Sequence, residues 1–341
     1  MSNFNPNIKF RKKTYSDIRK LFEQLVSKDR FALSEAITLI ESEKEEHKKI
    51  AKELINKCLV KTQNTHRIGL TGSPGVGKST LLESLGLHII KQDKKPAILA
   101  IDPSSNKTKG SILGDKTRMN LLSVSEKAFI RPSPSGSTLG GVAQKTRESI
   151  ILVETAGFNP VFIETVGVGQ SEIAVHSMTD IFILLIQPGS GDEIQGIKRG
   201  IMEMADIIVI NKADKDNITK AKTSFNHYSN AMKLFGKKDN GWETKILMTS
   251  AIENTGIDEL WSTICDFEKH IKSTKHFEDK RKKQNINWFQ DYLFKKILNI
   301  YKSDKDMSEK FNEIESKVSK GILSPYQAGD LLFDLLLNRG K

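Results

Sequence analysis

Three features of this 341-residue chain predict an α/β fold with a mainly parallel central sheet. Short apolar runs such as PAILAID, VFIET, IFILLI and DIIVI alternate with longer segments of helical periodicity, as expected of strands buried on both faces. The run at Arg67 leads at once into Gly72-Ser73-Pro74-Gly75-Val76-Gly77-Lys78-Ser79 and then the helix-like LLESLGLHII, the strand–loop–helix order that the G-x-x-x-x-G-K-[ST] pattern requires. A later strand opens into Asn211-Lys212-Ala213-Asp214, about 130 residues beyond that loop, where an N-K-x-D match is specific. The predicted architecture is a P-loop NTPase domain over 63–272, preceded by an N-terminal helical extension over 1–62 and followed by a C-terminal helical arm over 273–341.

The loop from Gly72 to Thr80 is the expected phosphate cradle. Its glycines let backbone N–H groups turn inward, and the first turn of the next helix adds unpaired N–H groups and the positive end of its dipole. Lys78 then reaches the outer phosphates, and the Ser79 hydroxyl holds Mg²⁺.

Composition narrows the class further. The longest apolar run, Ile181 to Ile186, is far too short to cross a bilayer, and no apolar stretch follows the basic first residues. Cys58 and Cys265 stand far apart, which supports neither a disulfide framework nor a thiolate metal cluster. The net charge of +11 comes from lysines interleaved with acids, as in ESEKEEHKK, so a solvated surface is expected in preference to a nucleic-acid groove. A soluble cytoplasmic protein with no membrane or nucleic-acid partner is the resulting expectation.

In chain order, Thr14 to Lys61 has helical spacing, with Phe31, Leu33, Ala36, Ile37 and Ile40 predicted on one side. PAILAID is a buried strand ending in Asp102, at the carboxyl edge where a metal or its water shell would sit. Asp115 falls in a polar, glycine-punctuated loop and reads equally as a second metal-side carboxylate or as a surface acid. AFIRP is a further short strand.

ILVETAG and VFIETVG compete for the strand that carries a carboxylate toward the γ-phosphate. The first closes a helix-like segment at Gly157 and the Asn159-Pro160 turn, and parallel strands need a crossover helix between them. The second, Val161 to Thr165, is therefore the strand. Glu164 is the expected metal-side carboxylate, with the Gly167 amide near the γ-phosphate, and Glu154 is the alternative. After IFILLI, the stretch QPGSGDEIQGIKRGIMEMAD becomes helical at about Ile194 and suits a loop that responds to the bound nucleotide. Asp192 and Glu193 read as solvated surface.

The base follows from N-K-A-D. A carboxylate at Asp214 accepts two hydrogen bonds from guanine's ring N–H and amino group, a donor pair that adenine lacks. Asn211 binds the guanine edge and braces the P-loop, and the Lys212 stem packs along the ring. Backbone N–H groups at Ser250 and Ala251 are expected to meet the guanine oxygen. GTP or GDP is thus the expected ligand. Beyond Lys272 a Lys-rich connector is expected, then helices from about Ile286 to Leu337 whose apolar face must be covered by the domain or by a second chain.

With these pieces in place, the chain resembles the methylmalonyl-CoA mutase-associated GTPases of the ArgK/MeaB type. The resemblance runs through DRFALSEAITLIES, GSPGVGKST, AIDPSS, GDKTRM, FIRPSPSGSTLGG, VFIETVGVGQSE, GDEIQGIKRG, NKAD and GILSPYQAGDLL. It implies a G domain of the class typified by signal-recognition-particle and nickel-insertase GTPases, with a homodimer formed through the C-terminal arm. It further implies a GTP-hydrolysing chaperone of an adenosylcobalamin-dependent acyl-CoA mutase, methylmalonyl-CoA mutase being the expected client, that gates cofactor loading and protects the enzyme. The family's metal-side carboxylates fall on Asp102, Asp115 and Glu164. Its third switch loop falls on Gly189 to Lys198, with Lys198 approaching the phosphates once the partner docks. No glutamine stands at the usual water-positioning place, Gln170 lying further along, so slow hydrolysis that speeds up on partner binding is expected.

Two rivals share the P-loop class, and a third reading is a binding module that holds GTP without meaningful hydrolysis. A metal-insertion GTPase would cluster Cys or His, whereas the seven histidines here are dispersed, and the closest pair, His270 and His276, does not share a helical face. A protein kinase-like regulator of amino-acid transport is the other, and nothing in the residues specifies transfer to a protein over water.

Overall fold

The computed structural model describes residues 17–61, 65–101, 119–133, 139–165, 171–189 and 199–338. These residues hold a seven-stranded sheet in the order β3-β2-β4-β1-β5-β6-β7. The strands are β1 (Arg67–Gly72), β2 (Ala97–Ile101), β3 (Phe129–Ser133), β4 (Val161–Thr165), β5 (Ile181–Ile186), β6 (Ile207–Ile210) and β7 (Lys245–Met248), and every pairing is parallel. Because β1 lies between β4 and β5, the loop that follows it emerges at the centre of the carboxyl edge, where open α/β sheets bind ligands.

Alternation along the strands sends side chains to both faces, and each face is covered. Ile68, Leu70, Ile183, Leu185, Ile207 and Val209 pack against α4 (Lys78–Lys91) and α10 (Ile257–Ser273), together with Leu122 of the short α5 (Asn120–Ser123). On the other face Leu184, Ile186, Ile208 and Ile210 meet α8 (Arg199–Met204) and α9 (Ile218–Lys233). There α6 (Leu139–Thr155) lies on β2 and β4, and α7 (Ser171–His176) on β1 and β4. Phe162 and Phe182 are fully buried, and each contributes about 2–3 kcal/mol relative to an exposed ring.

The segment that competed with β4 is α6, which ends at Thr155 before Gly157, whose φ of +77° is the left-handed conformation that closes a helix. Glu154 at its end is fully buried and accepts from Arg67 Nε and Nη2 at 2.6 and 2.7 Å and from the Thr65 hydroxyl. It ties α6 to the amino end of β1, on the edge of the sheet away from the P-loop.

The N-terminal helices α1 (Ile18–Val26), α2 (Arg30–Glu41) and α3 (Glu45–Leu59) pack on one another and on α6. Asp29 starts α2 by accepting from the Phe31 and Ala32 amides at 2.7 and 3.2 Å. Leu33, Ala36, Ile37 and Ile40 are buried as expected, but Phe31 is 88 % exposed. At 100° per residue Phe31 points away from that stripe, and Ala32 and Leu39 fill the face instead.

The expected Lys-rich connector is helix. After a turn at Thr274 and Lys275, α11 runs from His276 to Ser303. Its lysines and glutamines are good helix formers, Glu278 and Asp279 suit the first turn, and Arg281 forms a forked pair with Asp180 at 2.6 and 2.7 Å. The chain divides into two compact units, Met1–Arg281 and Lys282–Lys341. In the second, α12 (Lys305–Ser319) packs on α13 (Pro325–Leu337), and the Tyr301 hydroxyl donates to Leu332 O at 2.6 Å. Ser324 and Gln327 cap α13 reciprocally. Ile286, Phe289, Leu293, Phe294 and Leu298 repeat at helical spacing along α11 and stay exposed. Among the described residues no helix is long and apolar enough to cross a membrane.

Candidate functional site

The loop Ser73–Gly77 is held by what surrounds it. Val76 is buried in the core beneath the loop, while Pro74 and Gly75 are exposed above it. Gly75 and Gly77 have φ of +81° and +93°, and a side chain at Gly77 would meet Asn211 Nδ2 at 2.6 Å, so only glycine fits under that asparagine. Space is open where a Gly75 side chain would stand. Lys78 opens α4 with its ammonium folded back over the loop, donating to Gly72 O at 2.7 Å and Ser73 O at 3.1 Å. Thr80 follows on the exposed side of the first turn.

Ser79, buried in that turn, donates from its hydroxyl to Glu164 Oε1 at 3.1 Å. Glu164 comes from β4, the neighbour of β1, and is itself buried. A hydroxyl and a carboxylate side by side at a helix N-terminus are hard oxygen donors, the set that suits Mg²⁺, so this pair fits a divalent ion bound with phosphates. Of the other expected members of this half, Asp102, Asp115, Gly167 and Lys198 lie outside the described residues. So does the helix start near Ile194.

The other half sits at the carboxyl ends of β6 and β7. Asn211 is buried, donates to Val76 O at 2.9 Å and to Gly77 O at 3.5 Å, and accepts from the Thr249 hydroxyl at 3.1 Å. The expected brace to the P-loop is therefore formed, and it spans the edge of the sheet from β6 to the loop after β1. Lys212 has φ of +60°, and its ammonium lies 3.4 Å from Gln187 Oε1. The Asp214 carboxylate is half-buried and accepts from the Ser250 hydroxyl at 3.0 Å. The Ser250 amide expected to face the guanine oxygen instead donates to Thr255 O at 3.0 Å, in a bridge that closes the turn after β7, while its hydroxyl donates to Asp214. Ala251 is buried, and its carbonyl accepts from Ser84 of α4 at 2.6 Å, pinning this turn to the P-loop helix.

The structure thus gathers Gly72 to Ser79, Glu164, Asn211, Lys212, Asp214, Ser250 and Ala251 along one edge. Two supporting residues went unnoticed in the sequence: Thr249, which orients Asn211, and Ser84, which holds Ala251. The only trace they leave is a polar residue where an apolar strand ends or where a helix turns toward the site. Chemically, a glycine cradle with a lysine, a hydroxyl–carboxylate pair and a half-buried carboxylate can hold a polyphosphate, its cation and a base bearing two adjacent donors.

A family model described as methylmalonyl Co-A mutase-associated GTPase MeaB matches residues 33–306. The chain is 42 % identical over 297 residues to the GTPase ArgK of Escherichia coli, covering 87 % of this chain and 90 % of that one. It is 41 % identical over 332 residues to the mitochondrial methylmalonic aciduria type A homolog of Mus musculus, covering 94 % and 80 %. A solved structure described as an LAO/AO transport system kinase aligns with a TM-score of 0.76 at 34 % identity, over 96 % of this chain and all of that one.

Proposed function

The chain belongs to the methylmalonyl-CoA mutase-associated GTPases of the MeaB type, and from that premise we propose that it is a GTP-driven chaperone of an adenosylcobalamin-dependent acyl-CoA mutase. As a P-loop GTPase it binds guanine nucleotide and hydrolyses GTP to GDP and phosphate. The client in this reading is methylmalonyl-CoA mutase. The role is to let the cofactor enter and to guard the loaded enzyme, with the nucleotide state as the signal. The observation that carries the reading is the joining of Asn211 to the P-loop and of Glu164 to Ser79 in a chain of this family.

In the proposed site the Gly72 to Thr80 cradle and Lys78 hold the phosphates. Lys78 is prepared for this, since the carbonyls it now engages lie in the loop that would carry the phosphates. Ser79 and Glu164 would hold Mg²⁺, joined by Asp102 and Asp115, and the ion would neutralise charge on the phosphates. Asp214 and Asn211 select guanine, Lys212 covers the ring, and Ala251 lies beside its oxygen. The Gly167 amide and Lys198 complete the γ-phosphate side, Lys198 only when the partner docks. Hydrolysis is slow alone and partner-stimulated, because positioning and charge stabilisation make up most of the chemistry.

The homodimer belongs to the same proposal and is supported by the exposed apolar row Ile286, Phe289, Leu293, Phe294 and Leu298. A cytoplasmic location is supported by two free cysteines, Cys58 being buried. The test is co-purification with a cobalamin-dependent mutase under a non-hydrolysable GTP analogue and under GDP. Retention that depends on the nucleotide, with turnover raised by the mutase, is expected; equal retention or none overturns the reading. The likeness to a transport system kinase favours one other reading, phosphoryl transfer to a protein. Labelled γ-phosphate appearing on a protein, and not as inorganic phosphate, would establish it.

A further inference from the structure

Two buried threonines join the strands that carry the phosphate loop and the metal-side carboxylate. The Thr165 hydroxyl donates to the Thr71 hydroxyl at 2.9 Å, and both residues are 1 % exposed. Thr71 immediately precedes Gly72, where the phosphate loop begins, and Thr165 immediately follows Glu164. β1 and β4 pair from Arg67↔Val161 to Leu70↔Glu164, so the two hydroxyls meet one step further on, where the parallel ladder ends.

The consequence is geometric. Successive strand residues point to opposite faces, so Glu164 turns toward α4 and Ser79, while Thr165 turns to the other face. Beyond Leu70↔Glu164 the backbone of β4 has no further pair with β1, while Ile101↔Thr165 still holds it to β2, so on the β1 side the end of β4 depends on side-chain contact. A shift of about one ångström would spoil a 3.1 Å contact. The hydroxyl pair opposes that shift by linking β4 to β1 at the residue next to Glu164, one step past the last β1–β4 backbone pair. β-Branched threonine has few rotamers, which makes the link stiff.

We propose that Thr165, acting through Thr71, is a positioning residue that holds Glu164 in register with Ser79 for GTP hydrolysis. The proposal rests on the reading of Ser79 and Glu164 as the metal-side pair. Thr165→Val keeps the shape and removes the bond, while Thr165→Ser keeps the bond. Steady-state GTP turnover across a Mg²⁺ series, GDP affinity by calorimetry and thermal melting would be measured on the full chain.

The expected result for Thr165→Val is a kcat lowered about tenfold and a several-fold higher Mg²⁺ requirement, with GDP affinity within about twofold. Thr165→Ser should recover most of both. If Thr165→Val fails to fold, Thr71→Val removes the same bond from the other strand and carries the same expectation. A variant that melts earlier but keeps its kcat and Mg²⁺ requirement overturns the proposal, as does a Thr165→Ser as impaired as Thr165→Val. Ser79→Ala and Glu164→Gln serve as the reference. If they raise the Mg²⁺ requirement and Thr165→Val does not, the positioning role alone fails; if they leave it unchanged, the metal-pair reading fails and the proposal falls with it.

Discussion

The Ser79 hydroxyl donates to Glu164 Oε1 at 3.1 Å, joining the first turn of the helix after the phosphate loop to the end of the neighbouring strand. Both groups are buried at the carboxyl edge of the sheet, and in the proposed site they would hold Mg²⁺ together. Glu164→Gln keeps the shape and removes the charge. Its kcat for GTP should fall roughly 10²-fold and its Mg²⁺ requirement should rise, read from turnover across a Mg²⁺ series.

Asn211 connects the base side to the phosphate side through Val76 O and Gly77 O. Asn211→Ala leaves the Thr249 hydroxyl and a loop carbonyl without this partner, a loss of about 1–3 kcal/mol. Calorimetry should show nucleotide binding weakened by roughly 5- to 150-fold, with a lower melting temperature even without ligand.

The Asp214 carboxylate accepts from the Ser250 hydroxyl at 3.0 Å, and in the proposed site it binds the ring N–H and amino group of guanine. Asp214→Asn presents an amide that can donate to a carbonyl where guanine has its amino group. The variant should lose GTP and gain XTP, by a factor on the order of 10² each way, in competition binding.

Glu154 is fully buried with Arg67, with Arg281 Nη1 3.8 Å away. Glu154→Ala leaves guanidinium charge without its carboxylate and should destabilise the first unit by about 3–5 kcal/mol in urea unfolding. Turnover per folded molecule should be unchanged, since the residue lies on the edge away from the P-loop.

His176 lies edge-on to Phe182 at 5.4 Å, and burial, then the Lys280 and Lys238 ammonium groups, outweigh Asp206 and push its pKa down from 6.5 to about 4. Between those values the unfolded chain binds the proton and the folded chain does not, so stability falls as pH drops from about 6.5 toward 4 and is flat above 6.5 on this account. The full effect is at most about 3 kcal/mol. Urea unfolding at several pH values should show this slope for the native chain and a smaller one for His176→Gln.

The strands were legible as segments because a parallel sheet buried on both faces leaves unbroken apolar runs, and because a crossover helix must separate β2, β4 and β5; their order across the sheet has no counterpart in the residue pattern. That logic resolved the choice between ILVETAG and VFIETVG. Gly72 to Ser79 and Asn211 to Asp214 were legible as patterns because phosphate and guanine geometry restricts both types and spacing. Phe31 was misplaced because helical periodicity fixes which residues share a face only once the phase is known. The start of α11 was missed because Lys, Glu and Gln are equally at home in solvated connectors and in helices. Thr71, Thr165 and Thr249 leave only the trace of a polar residue at a strand end, which is ordinary until the partner strand is known. The engagement of the Ser250 amide is not legible in the residues because the turn that consumes it, closed by Thr255, depends on backbone pairing and not on side-chain type.

The claim on which the rest depends is that this edge of the sheet selects guanine through Asp214 and Asn211 while gripping Mg²⁺-bound phosphates through Lys78, Ser79 and Glu164. Calorimetric titration of the full chain with GTP and with ATP, each in the presence of Mg²⁺, tests it most directly. GTP bound at least ~100-fold more tightly than ATP is the predicted result. Equal affinity for the two, or no binding of either, would contradict it.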